Sequence, residues 1–254
     1  MSDWSACILA PNPSAWTLEG TNTWLIAAPH SADVVVVDPG PDTVEHLERI
    51  ALKVSERGVI RQILLTHGHA DHSAGALALS RMTGAPVRAL DPEHVHGGEG
   101  LHAGEVIEFG DLAIDVVSTP GHSADSLSFR VNGVSSILTG DTVLGRGTTV
   151  IAWPEGKLAD YLATLDTLAE TISTHGISNI YPGHGPLVAD PAIRIQQYAQ
   201  HRAERLDQVR AALDAGARTA DEVVAIVYAQ TPGNLLGAAK LSVQAQMEFL
   251  NSLG

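Results

Sequence analysis

His67-Gly68-His69-Ala70-Asp71-His72 sets four metal-capable side chains within six residues. The run follows Ile63-Leu64-Leu65-Thr66, an apolar stretch that reads as a buried strand opening into a loop. Imidazole and carboxylate together suit zinc and similar divalent cations. Gly68 and Ala70 are small, so a tight loop can turn all four donors toward one point. Taken alone, the cluster is also compatible with a solvated histidine-rich loop.

On either side of this loop, strand-like and helix-like segments alternate. Asn22 to Ala27 and Val34 to Val37 read as successive strands, the second broken by Asp38-Pro39-Gly40-Pro41. Thr43 to Arg57 carries apolar residues at helical spacing, and Ser73 to Met82 predicts a second helix. Short strands are expected over 87–90, 106–109, 113–118, 126–131 and 135–139, with turns at Gly110-Asp111 and Asn132-Gly133. Leu158 to Ser173 predicts an amphipathic helix and Ile177 to Tyr181 a strand. From Pro191 strand-like runs cease and three helices are expected, over 193–215, 220–229 and 235–253. Thr219 and Glu222 form a capping-box pair that opens the second of these. The boundary falls near Asp190, giving a catalytic domain over 1–190 and an appendage over 191–254.

Three further candidate ligands sit on glycine-bearing turns after strands: His122 in Thr119-Pro120-Gly121-His122, Asp141 in Thr139-Gly140-Asp141, and His184 in Tyr181-Pro182-Gly183-His184. Each is an ordinary loop residue in isolation. Loops at strand ends can nevertheless converge on one site.

This succession, the His-x-His-x-Asp-His loop, then Gly-His, Gly-Asp and a final Gly-His, resembles the metallo-β-lactamase superfamily. The resemblance implies an α+β fold, a four-layer αββα sandwich of two mixed sheets with metals at one edge. It implies that His67, His69 and His122 hold one metal, that Asp71, His72 and His184 hold another, and that Asp141 bridges both. Asp38 is then a support that orients a ligand histidine. Two Zn2+ are expected, with Mn2+ or Fe2+ as alternatives, and a hydroxide bridging them is the nucleophile. Asp71 and Asp141 are the carboxylates nearest the chemistry, and Asp71 is a candidate for moving a proton. Flanking stretches, Leu18-Glu19-Gly20-Thr21-Asn22-Thr23-Trp24 and Gly140-Asp141-Thr142-Val143-Leu144-Gly145-Arg146 among them, are similar to the β-lactamase-like protein 2 family. The tail around His201-Arg202 and Val227-Tyr228 is similar to that family's winged-helix appendage. The chain ends where a wing hairpin would stand, so a helical appendage is expected.

Composition narrows the function. The formal net charge is −14, from 29 acidic and 15 basic residues, and the excess lies before the tail. No basic stripe marks a nucleic-acid face, and phosphate contacts supply most such affinity. The resemblance implies a small-molecule or acyl-carrier substrate or single-stranded RNA, and the charge balance argues against the RNA while leaving it open. No window is long and apolar enough for a membrane helix. The first residues lack the features of a secretory signal, and the one cysteine, Cys7, has no internal partner. A cytoplasmic protein is expected. The expected activity is hydrolysis of an ester, thioester or phosphodiester. The alternatives are a single-strand-specific endoribonuclease and a mononuclear iron persulfide dioxygenase. Trp153 reads equally as a pocket residue and as a loop residue covering the core.

Overall fold

Val34, Val35, Val36 and Val37 are all buried, because this strand has protein on both faces. Val35 and Val37 turn toward one core and Val34 and Val36 toward another, the alternation a strand imposes. The computed structural model describes residues 4–109 and 111–253. Gly110 of the expected turn, the first three residues and Gly254 lie outside the described residues.

Among the described residues, ten strands form two five-stranded sheets. The first comprises β1 (Ser5–Leu9), β2 (Asn22–Ile26), β3 (Asp33–Val37), β4 (Val59–Leu64) and β5 (Val87–Arg88), in that spatial order. The β1–β2 and β2–β3 pairs are antiparallel, and β3–β4 and β4–β5 are parallel. The second sheet runs β10 (Asn179–Pro182), β9 (Ser136–Gly140), β8 (Leu127–Val131), β7 (Leu112–Ser118), β6 (Val106–Phe109). Only its β10–β9 pair is parallel. Trp24, Ile26 and Val37 of the first sheet meet Ile114, Phe129 and Leu138 of the second in a central core.

Each sheet also has an outer apolar face. Leu47 and Ile50 of α1 (Val44–Ser55) and Leu79 of α3 (Ala76–Thr83) cover the first. Tyr161, Leu165 and Leu168 of α4 (Leu158–His175) cover the second. Burying each such side chain contributes roughly 1.5–3 kcal/mol, so the layers are helix, sheet, sheet, helix. Among the described residues, no helix is long and apolar enough to cross a membrane.

Two details depart from the sequence reading. Ser5–Leu9 forms an edge strand on β2 that the alternation alone did not announce. The helix expected over Ser73–Met82 is split into α2 (Ala70–Ser73) and α3. Gly75 lies between them, its N–H donating to Gly40 O, and a Cβ there would stand 2.8 Å from Leu47. The break lets the metal loop and α3 take different directions against α1.

The tail is helical: α5 (Pro191–Asp214), α6 (Ala220–Val227) and α7 (Leu236–Ser252). Thr219 Oγ1 accepts from Glu222 N and the Glu222 carboxylate accepts from Thr219 N, which completes the expected capping box. Val209, Val223 and Val243 form a small core of their own. Helix α5 belongs to both bodies, since its Ile195 and Tyr198 pack under α4 while Val209 and Ala212 lie in the tail core.

Candidate metal centre

Five strands end at one rim of the sandwich. Asp38 follows β3, the His67–His72 loop follows β4, His122 follows β7, Asp141 follows β9 and His184 follows β10. All seven residues named as ligands from the sequence gather there in two groups. His67, His69 and His122 form one, and Asp71, His72, Asp141 and His184 the other; within each, the donor atoms lie within 4.8 Å of one another.

The hydrogen bonds behind the rings fix their tautomers. Thr66 Oγ1 donates to Asp38 Oδ2 (2.7 Å), so it accepts from His67 Nδ1–H (3.0 Å). His122 Nδ1–H donates to Val150 O (2.9 Å), and His184 Nδ1–H to Gly20 O (3.1 Å). His72 Nδ1–H donates to Asp38 Oδ2 (2.8 Å). In all four rings Nε2 is therefore the atom turned to the centre. His69 is inverted, with Nδ1 3.0 Å from both His67 Nε2 and His122 Nε2, and Nε2 3.4 Å from Glu155 Oε1. An imidazole held through its far nitrogen by a carbonyl or carboxylate is the usual arrangement of a metal-binding histidine.

These donors fit divalent cations. His72 Nε2 and His184 Nε2 lie 3.2 Å apart, too close for two bare lone pairs unless a proton or a cation stands between them. Asp141 Oδ1 is buried and has no hydrogen-bond partner among the described residues. That oxygen lies 3.3 Å from both His72 Nε2 and His184 Nε2, while Oδ2 lies 3.8 Å from His122 Nε2. Asp141 thus presents one oxygen to each group.

The two groups differ electrostatically in the metal-free chain. Burial, reinforced by the neighbouring His72 and His122, holds His67 well below the usual histidine range, and burial also lowers His122. His67 and His122 are therefore neutral imidazoles. In the second, burial opposes charge on His184, but the carboxylates of Asp141 and Asp71 outweigh it and push the pKa up to about 9. His72 is likewise raised against its burial by Asp141 and Asp38. Asp141, despite its burial, is held well below the carboxylate range by His72 and His184.

The loop carrying four of these ligands is clamped through Gly68. Its N–H donates to Asp125 Oδ2 (2.7 Å), and its carbonyl accepts from Ser73 Oγ (2.8 Å). Ser123 Oγ donates to Asp125 Oδ1 (2.7 Å) and orients the carboxylate. A Cβ on Gly68 would stand 2.4 Å from His94 Nε2, so any larger residue there must displace that imidazole. Sequence reasoning missed Asp125, Ser73 and Thr66, since each acts through a backbone group or a second side chain.

The centre opens into a groove of about 480 Å³. Trp16, Leu18 and Leu144 line its catalytic side, and His201, Arg205 and Tyr228 its tail side. Trp153 is not among the lining residues: it is 39% exposed and its N–H donates to Leu241 O. Cys7 takes no part, since it lies in β1 beside Asn22 and burial pushes its thiol up to about 12.

Comparison with known proteins gives concordant matches. Residues 16–198 match the Metallo-beta-lactamase superfamily, and residues 219–254 match the Beta-lactamase associated winged helix domain. The chain is 29% identical over 263 residues to the Beta-lactamase-like protein 2 homolog of Caenorhabditis elegans, covering 98% of this chain and 85% of the relative. It is 29% identical over 237 residues to an Atrochrysone carboxyl ACP thioesterase of Aspergillus chevalieri, covering 89% and 73%. A metallo-beta-lactamase family protein of Thermus thermophilus shares the fold at a TM-score of 0.80 and 23% identity, covering 98% of this chain and 94% of that one.

Proposed function

Since this chain belongs to the metallo-beta-lactamase superfamily, we propose that it is a dinuclear zinc hydrolase that cleaves carrier-linked acyl thioesters. The observation that carries this reading is Asp141, whose two carboxylate oxygens face two separate donor groups. A mononuclear iron dioxygenase would need only one of those groups.

In this reading His67, His69 and His122 would hold one cation, and Asp71, His72 and His184 would hold the other, with Asp141 available to both sets. Two divalent cations bound there supply Lewis acidity and bring the ionisation of a nucleophilic water toward neutral pH. The chain's own residues do the rest. Asp38 keeps His72 in one tautomer, and Gly20 O and Val150 O do the same for His184 and His122. Asp71 is the more exposed of the two site carboxylates and lines the groove, so it takes the proton that the attacking water gives up.

The substrate class is supported by two things. A relative 29% identical to this chain is named as an acyl-carrier thioesterase. Among the described residues lining the groove, the only carboxylates are Asp71 and Asp141, both already assigned to the cations, so no uncommitted carboxylic acid stands there to protonate a leaving group. A thiolate needs none, because its conjugate acid has a pKa near 8.5. We place the division between catalytic domain and appendage at 190/191, where Pro191 opens α5. The location we propose is the cytoplasm.

The test is thiol release from an acyl-pantetheine thioester by the zinc-loaded protein, alongside a short single-stranded RNA. Chelator-sensitive thiol release, lost in Asp141→Asn, is the expected result. Cleavage of the RNA with no thiol release would sink the thioester reading in favour of the endoribonuclease.

A further inference from the structure

Cationic side chains gather in the groove of an acidic molecule. The chain carries −14 overall, yet beyond Asp71 and Asp141 the ionisable groups lining the groove are His69, His122, Arg146, His201, Arg202 and Arg205. Arg146 is paired with Glu19. Arg202 and Arg205 have no acidic partner within salt-bridge distance among the described residues.

Arg202 is the more unusual of the two. Its side chain is buried at 3% exposure, its Nη2 donates to Thr149 O, and its guanidinium lies 5.1 Å from the Tyr161 ring centroid. Its Nε is buried without a hydrogen-bond partner. A buried guanidinium with an idle N–H and no counter-charge is costly to hold unless an anion completes it. Beside it, His201 Nδ1 is also buried and unpartnered. Burial and the two arginines lower the pKa of His201, so it is neutral and offers a hydrogen bond. Arg205 lies one helical turn from His201, half-exposed, with its guanidinium 4.9 Å from the Tyr228 ring centroid. Its Nη1 donates to Gln208 Oε1 (2.8 Å), and stacking on tyrosine leaves the rest of the planar fork for an oxyanion.

We propose that His201, Arg202 and Arg205 on α5, with Tyr228, form a phosphate-recognition subsite that takes the phosphate of a phosphopantetheine arm. This rests on the thioesterase reading for its substrate, but its binding test does not depend on turnover. Arginine forks suit phosphate through charge-assisted, bidentate hydrogen bonds. The patch is compact and the rest of the body acidic, which favours one phosphate on a small arm over a long polyanion.

The experiment compares 4′-phosphopantetheine with pantetheine, by titration calorimetry, on the zinc-loaded wild type, Arg205→Gln and Arg205→Lys. Arg205 is the probe because loss of the buried Arg202 endangers folding. The wild type should bind the phosphorylated arm about tenfold more tightly, a difference of about 1.4 kcal/mol. Arg205→Gln should bring the two affinities together, and Arg205→Lys should keep part of the preference. Equal wild-type affinities, or a preference intact in Arg205→Gln, overturns the subsite. So does an Arg205→Gln variant that weakens only the binding of a short single-stranded RNA. Hydrolysis of the corresponding acyl thioesters separates the two readings. A phosphate preference without thiol release leaves the subsite standing and removes the thioesterase. Thiol release with no phosphate preference does the reverse.

Discussion

The carboxylate of Asp38 lies 2.8 Å from Nδ1 of His72, with both side chains buried. Asp38 Oδ2 also accepts from Thr66 Oγ1, and Oδ1 accepts from Thr66 N, so one residue ties the end of β3 to the metal loop after β4. It does so from a left-handed backbone conformation, φ +52°. Aspartate is among the few residues that visit that region routinely.

Replacing Asp38 with Asn keeps the shape but removes the charge facing His72. Zinc affinity should fall about 10- to 100-fold, the usual consequence of removing a ligand's outer partner. Competition with a chromogenic chelator measures it. An unaltered affinity would show that the carboxylate charge is dispensable.

Asp125→Ala frees the N–H of Gly68 and should loosen residues 67–72 as a unit. The amide of Gly68 should lose exchange protection, and kcat should drop about tenfold as the ligands lose their common aim. Hydrogen exchange read by mass spectrometry on the loop peptide checks it. Unchanged protection would mean that Ser73 alone suffices.

Gly183→Ala places a methyl 2.6 Å from Asp141 Oδ1 and 2.7 Å from His72 Cε1. The variant should fold, because Gly183 sits at the rim, but the second donor group should be forced apart. Metal analysis after dialysis should find about one cation per chain, against the two that the dinuclear reading expects of the parent. Two retained cations would show that Asp141 can yield.

Protonation has a definite sign here. His184 has its folded pKa raised to about 9, so its contribution to the metal-free chain is fully present below pH 6.5. That contribution is lost as pH rises through about 9, so Tm of chelated protein should fall over this window. Metal loading must displace the protons on His72 and His184, so zinc affinity should rise over the same range. Calorimetric scans at pH 6.5 and 9.5, with His184→Asn as the control, test both directions. A flat Tm in the parent would contradict the ion pairing.

Tyr198→Phe removes the hydroxyl that accepts from Leu144 N at 2.8 Å. A buried N–H left unpaired costs about 1–3 kcal/mol, so Tm should fall by several degrees. A smaller loss would mean that another acceptor moves in.

The metal loop was legible because four donors are contiguous and follow an apolar strand, which confines them to one rim. The layered fold was legible through the family resemblance, and Val34–Val37, too apolar for a sheet with a solvated face, agrees with it. Asp125 was not legible, since its partner is the backbone of Gly68, 57 residues away. Nor was Arg202, which reads as a surface cation on a long helix until the fold buries it against Thr149 and Tyr161. That Trp16 lines the groove and Trp153 does not depends on loop paths that local pattern does not encode.

Helix α5 roots its first half beneath the catalytic layers and its second half in the tail, and its Arg202 holds Thr149, whose hydroxyl lies 3.1 Å from His122 Nδ1. The appendage is therefore not a detachable accessory that a lineage could exchange as a cassette. Grafting another tail onto this body would carry a disturbance into the ligand shell itself. New specificities should arise by drift in the side chains facing the groove, with the junction inherited whole.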